Sequence, residues 1–358
     1  MAFQLERFFL DIFAPQSGDV LTVMYDLPHG DIQDHAAWQE RREMAIEWHQ
    51  KINTFASKYQ MRVNPLFIYE ATGGHARDLP EFGQSEGKTV RLEDVIKDST
   101  IVISMPQFSA TAPLLAFTKK YGNLRVASMP LVSKSMEETG LSADYDKVAR
   151  LCAQLVPLFD QADGVEVTFS TGHKIYFDKS DNKPARQDNG RLHPSLDSIR
   201  LGNLPAGETF VVPNESAESK TQGEIPVRYG DEMVVFIVQN NQIVDVQGDG
   251  YMATQKRHEF REEKALRNIA EVAIGCNDKA VVTGNVLEDE KAGFHWAYGR
   301  SEFLGGTVAP KDFSTPDKVL HQDIVYAKGN PIVCQRLDFI SADGIRKTAI
   351  VDGELILG

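Results

Sequence analysis

VLTVMYDLPHGDIQDHAAWQERREMAIEWHQKINTFASKYQMRVNPLFIY, residues Val20 to Tyr69, decides the fold class. It opens, after the turn Gln16-Ser17-Gly18-Asp19, on the apolar run Val20 to Tyr25, which has the length and composition of a buried strand. A helical pattern follows from about Ala36 to Lys58, and a second apolar run extends from Val63 to Tyr69. Strand, helix and strand in this order form the unit that joins parallel neighbours in a sheet. The rhythm continues through Thr100 to Ser104, a helix containing Leu114 to Tyr121, and the run Leu124 to Ala127. Residues 1–135 are therefore expected to form an open, mainly parallel α/β domain. Within it, Ala71 to Lys88 is rich in glycine, proline and polar residues and reads as a long loop. Neither G-x-G-x-x-G nor a P-loop follows any of these strands, which argues against a nucleotide cofactor.

After Met129-Pro130 the pattern changes. Ser142-Ala143-Asp144 supplies an N-terminal cap for a helix running to about Asp163. Strands are then expected at Val165 to Ser170, Lys174 to Phe177, Thr209 to Val212, Met233 to Val238 and Ile243 to Gln247. A helix is expected from about Glu262 to Val272, and the tail closes in strands at Pro331 to Phe339, Lys347 to Val351 and Glu354 to Leu357. Residues 136–358 thus read as a larger, strand-rich α+β domain. A chain of 358 residues is long for one core, and its 42% hydrophobic and 25% charged residues suit a soluble globular enzyme. The net charge of -13 argues against a nucleic-acid partner. Cys152, Cys276 and Cys334 are scattered and odd in number, as reduced thiols of a cytoplasmic protein would be. No stretch approaches the ~20 apolar residues of a membrane helix, and no signal-peptide pattern opens the chain.

The chemistry lies in the second half. On a strand, His321 and Asp323 of His321-Gln322-Asp323 project to one face, and imidazole with carboxylate suits zinc, cobalt, manganese or iron. Upstream, Glu290 and His295 bracket a turn in DEKAGFHWAYG. His295 reads either as a hydrogen-bonded core residue or as a ligand, Asp289 as a solvated turn acid and Lys291 as a surface charge. Glu208, in LGNLPAGETFVVP, reads locally as an exposed turn acid at the start of a strand. Glu271, in the apolar stretch IAEVAIG, requires a metal, a cation or an exposed helix face, because a buried carboxylate without a partner is costly. No serine occupies a G-x-S-x-G elbow and no cysteine a nucleophile motif. Three glutamates, one aspartate and two histidines exceed the needs of one ion, whereas a two-metal hydrolytic site would use them all.

Four segments in order, RLGNLPAGETFVVPNES, IAEVAIGCN, EDEKAGFHWAYG with its following glycine pair, and HQDIVY, resemble the thermophilic metalloaminopeptidase family typified by aminopeptidase T. The likeness extends upstream through LRVASMP and ADYDKVARLCAQL, covering about Leu124 to the C-terminus, with the N-terminal third alike only in layout. The resemblance implies that Glu208, Glu271, His295, His321 and Asp323 hold two divalent ions (zinc, cobalt or manganese), with Glu290 as a further ligand or the general base and Glu271 also in the catalytic set. It implies a dimeric exopeptidase acting on small peptides, in which a metal-activated water attacks the peptide carbonyl. The family often carries a tyrosine before the glycine pair, where this chain reads Ser301-Glu302-Phe303-Leu304. The same superfamily is similar to dioxygenases that open dihydroxypyridine rings with one Fe(II) on two histidines and a carboxylate. A non-catalytic relative is the third alternative.

Overall fold

The computed structural model describes residues 3–195 and 200–357. The chain forms two compact units, each discontinuous in sequence: residues 1–149, 188–206 and 278–280, and residues 150–187, 207–277 and 281–358.

The first unit is the expected α/β sheet. Its strands run in the order Leu201–Asn203, Arg125–Ser128, Ile101–Ser104, Val20–Leu27, Phe67–Glu70, Phe82–Ser85 and Lys88–Arg91, with Arg62–Val63 alongside the central strand. Pairing is parallel from Leu201–Asn203 to Phe67–Glu70 and antiparallel beyond. The expected run Val63 to Tyr69 is split around Asn64 and Pro65, the proline having no N–H to give a ladder. The expected loop Ala71 to Lys88 is corrected in part, because its second half builds the antiparallel hairpin at the sheet edge. Helix Ala36–Ala56 buries Trp38 and Trp48, and the Trp38 indole donates to Asp26 Oδ1 at 2.8 Å. Beneath the sheet's start, Arg125 pairs with Asp19 at 2.7 Å, both side chains nearly inaccessible.

The second unit stacks two antiparallel sheets. Eight strands run in the order Gln242–Gln247, Glu232–Gln239, Gln222–Tyr229, Lys174–Asp178, Gly164–Phe169, Cys334–Ile340, Arg346–Val351 and Glu354–Leu355. The other sheet has Arg186–Asp188, Glu208–Val211, Ile269–Gly275, Phe294–Gly299 and His321–Val325 in that order. Between the sheets lies an aromatic layer in which Phe294 and Trp296 meet Phe169, Phe177 and Phe236 at 6.2–6.3 Å between ring centroids. Aromatic side chains bury more apolar area than any others, which makes this layer the core of the unit. Helix Tyr145–Gln161 begins at the expected cap, where Asp144 Oδ1 accepts from the Asp146 and Lys147 amides at 3.0 and 3.2 Å.

One element is overturned. The expected helix from Glu262 to Val272 is a helix at Tyr251–Glu262, a short 3-10 turn, and then the strand Ile269–Gly275. All seven residues of that strand are buried, with a partner strand on either side. A segment covered on both faces shows a continuous apolar run rather than alternation, and periodicity cannot separate that from a buried helix.

Candidate metal centre

Four neighbouring strands set out the site as a grid. Glu208 stands opposite Gly275, Ala273 opposite His295, and Glu271 opposite Ala297, which in turn faces Asp323; Gly299 stands opposite His321. Directly opposed residues share a face, as do residues two apart on one strand, so all five ligand-type residues project from the same side. Small residues occupy the positions between them. The other side carries Val272, Ile274, Phe294, Trp296 and Tyr298 into the core. Pairing slips by one residue between Ile269 and Glu271, so that Ile269 meets Tyr298 on the apolar side while Glu271 meets Ala297 on the polar side. A slip of this kind re-aims a side chain.

Glu290 reaches the same place from the 3-10 turn Glu290–Ala292. Gly275 makes that possible, since a Cβ there would lie 2.3 Å from the Glu290 carbonyl oxygen and 2.4 Å from the Lys291 carbonyl carbon. Asp289, expected in solvent, is buried and accepts from the Thr283 and Gly284 amides at 2.7 and 2.9 Å, fixing the preceding loop. Lys291, expected at the surface, is fully buried, with Nζ 2.7 Å from Glu208 Oε1 and 2.6 Å from Glu290 Oε1.

All six residues singled out in the sequence come together as two adjacent triads, Glu208 with Glu290 and His295, and Glu271 with His321 and Asp323. Glu208 is not the exposed turn acid of its local reading. His295 Nε2 lies 3.3 Å from Glu208 Oε2 and 4.0 Å from Glu271 Oε1, linking the triads. His321 Nε2 lies 3.1 Å from Glu271 Oε2 and 3.3 Å from Asp323 Oδ1. Both imidazoles are anchored from behind: Nδ1 of His321 donates to the Arg300 carbonyl at 2.7 Å, and Nδ1 of His295 to the Gly293 carbonyl at 3.3 Å. That anchoring turns each Nε2 toward the carboxylates, the orientation found in metal-bound histidines. Glu208 Oε2 is buried without a well-directed hydrogen bond, an acceptor with spare capacity. The donor set therefore fits a divalent cation. The site opens toward His321, Asp323 and Glu290, whose side chains are 15–16% exposed against 1% for His295.

Charges in the cluster are strongly interdependent. Burial alone would drive His295 toward neutrality, but Glu208 and Glu271 override it and raise its pKa to about 9. His321 moves the same way, with burial outweighed by Asp323 and Glu271. Burial pushes Glu290 up, against the pull of Lys291, and Glu208 adds to the rise. Glu208 itself is held below the usual carboxylate range because Lys291 and His295 outweigh its burial. A bound cation competes with the histidine protons for the same nitrogen lone pairs.

Behind the triads, Cys152 Sγ lies 3.4 Å from Cys276 Sγ and donates to the Glu208 carbonyl at 3.5 Å. Tyr298 does not replace the tyrosine lacking from 301–304: it projects into the core, its hydroxyl 3.1 Å from Lys256 Nζ. From that segment Phe303 sets its ring edge-on to His321, 5.1 Å between centroids, and Glu302 pairs with Arg300. Sequence reasoning missed Lys291; its one signal was adjacency to Glu290 in a stretch otherwise apolar after Ala292.

A buried constellation of carboxylates and imidazoles on an α/β frame defines a candidate metalloprotein. No family model matches the chain, and no curated protein matches it. Among solved structures, 2,5-dihydroxypyridine dioxygenase from Pseudomonas putida is similar over 99% of this chain and 97% of its own, at a TM-score of 0.65 and 16% identity. AmpT from Thermus thermophilus is similar over 99% of both chains, at a TM-score of 0.61 and 12% identity. The fold is thus the one shared by these two proteins. Among the described residues no helix is long and apolar enough to cross a membrane.

Proposed function

We propose that this chain is a metal-dependent hydrolase of the aminopeptidase kind, removing N-terminal residues from small peptides. The observation that carries the reading is the convergence of six acids and imidazoles as two adjacent triads on one sheet face. A divalent cation held by Glu271, His321 and Asp323, with His295 at their margin, would supply Lewis acidity toward the scissile carbonyl and water. Glu290, at the open side, accepts the proton of the attacking water and passes it to the leaving amine. Asp323, also at the open side, offers a carboxylate to the free α-amine of the peptide, which favours chain ends over internal bonds. The side-chain amide of Gln322 turns back to the Asp323 carbonyl at 3.0 Å and stays out of the reaction. With this reading go a homodimer and a cytoplasmic location.

A second reading, ring cleavage of a hydroxylated heterocycle by one Fe(II), is favoured by the completeness of the Glu271, His321 and Asp323 triad without the other three residues. The donor types weigh against it: this triad has one imidazole and two carboxylates, whereas a facial triad has two imidazoles and one carboxylate. The two readings are separated by assaying protein loaded with zinc, cobalt or manganese on aminoacyl anilides, and protein loaded anaerobically with Fe(II) for oxygen uptake on dihydroxypyridines. Anilide hydrolysis abolished by Asp323→Ala is the expected result. Oxygen uptake without hydrolysis would overturn the proposal.

A further inference from the structure

Building on the metal-dependent reading, we infer that the Lys291 ammonium is a resident cation in the second metal position of this site. The centre then takes one divalent ion, on Glu271, His321 and Asp323, in place of the two expected from the sequence.

The lysine is committed by geometry. Its side chain is fully buried, and its two short contacts, 2.7 Å to Glu208 and 2.6 Å to Glu290, go to the two carboxylates that with His295 make the first triad. These are charge-assisted hydrogen bonds of full strength. A divalent ion bound to the same carboxylates would sit about 2.0–2.2 Å from their oxygens, which puts a second positive centre a few ångströms from a fully buried ammonium, where solvent screening is weak. One of the two cations must be absent, and the lysine cannot swing away as a surface lysine could. Its carbonyl accepts from the Asn277 amide at 3.0 Å, and the turn on which it sits packs directly on the Gly275 backbone. The second triad takes Glu271 from the Ile269–Gly275 strand and His321 and Asp323 from the His321–Val325 strand, and both its acids face His321 Nε2.

The arrangement also has a chemical logic. A lysine charge neutralises Glu208 and Glu290 without the exchange, loss or redox chemistry open to a metal ion. It leaves Glu290 as a proton carrier hydrogen-bonded to an ammonium, in a site with a single Lewis acid.

The test is a count. Purified, chelator-stripped protein is titrated with zinc, cobalt and manganese, and bound ions are measured by mass spectrometry of the dialysed complex and by calorimetry. The wild type is expected to saturate at one ion per chain. Lys291→Met, which keeps the volume and removes the charge, is expected to saturate at two, with a manganese spin-resonance spectrum that shows exchange between neighbouring ions. Lys291→Arg should remain at one. Two ions in the wild type would overturn the inference and make the lysine a hydrogen-bond donor to ligating carboxylates, with the metal-dependent reading left intact. A folded Lys291→Met variant that stays at one ion would also overturn it. No ion bound by the wild type would instead remove the metal-dependent reading itself, and the inference with it.

Discussion

Replacing Gly275 with alanine tests how the site is assembled. The added Cβ would stand 2.3 Å from the Glu290 carbonyl oxygen and 2.4 Å from the Lys291 carbonyl carbon, both backbone atoms that no rotamer change can move aside. To reach 3.0–3.4 Å the Glu290–Ala292 turn must retreat by about 0.7–1.1 Å from the sheet. Overpacking of this kind costs about 1–3 kcal/mol. The same retreat carries Glu290 and Lys291 together and stretches the Lys291–Glu208 contact from 2.7 Å to about 3.4–3.8 Å, which leaves a buried ammonium poorly satisfied and adds about 1–3 kcal/mol. Urea unfolding of the metal-free protein should therefore give a loss of about 2–6 kcal/mol, and a misplacement near 1 Å should lower turnover about 100-fold. A Gly275→Ala protein within about 0.5 kcal/mol of wild type and equal in turnover would refute the claim that this glycine sets the position of Glu290 and Lys291.

Tyr298→Phe should leave metal affinity unchanged, since its hydroxyl meets Lys256 on the core side, and should cost about 0.5–1.5 kcal/mol of stability; a tenfold loss of metal affinity would contradict the facing. Asp19→Asn should destabilise by about 3–5 kcal/mol at neutral pH, because Arg125 is left buried and uncompensated. Burial raises the Asp19 pKa, but the Gln16 amide, Thr100 and Arg125 outweigh it and hold the folded value below 3.8. Its contribution is therefore fully present above 3.8 and lost as pH falls through the folded value, so the gap between wild type and variant in urea midpoints should be flat near neutrality and close on acidification below 3.8. Trp38→Phe removes one donor from the buried Asp26 carboxyl and should cost about 1–3 kcal/mol in the same assay.

Much of the first unit was legible because each strand there is a short apolar run set off by a helix of clear period. Its hairpin was not, since Phe82–Ser85 and Lys88–Arg91 are polar edge strands whose exposed faces erase the apolar signal. In the site, His321 and Asp323 could be placed on one strand face from their spacing alone. Glu271 could be singled out as a costly acid but was assigned to a helix, because a strand covered on both sides has no period to read. Lys291 shows the limit from the other direction. Its burial depends on Glu208, 83 positions earlier in the chain, and on the room left by Gly275, so no local pattern could reveal it. The same holds for the phase slip before Glu271, which exists only in relation to the neighbouring strand.

The grid of paired strands gives each position of the site an address, and some addresses are vacant. Ala273 lies beside His295, and Ala297 lies between Glu271 and Asp323, both on the polar face and both without a functional group of their own. A histidine or carboxylate introduced at either position enters the cluster from a backbone already in place, with no loop to rebuild. The same grid makes errors of register conspicuous. A strand displaced by one residue delivers its whole apolar row to the polar side, as Trp296 and Tyr298 would be if the Phe294–Gly299 strand slipped. The centre is thus open to editing one address at a time, while the frame that holds it admits only one alignment.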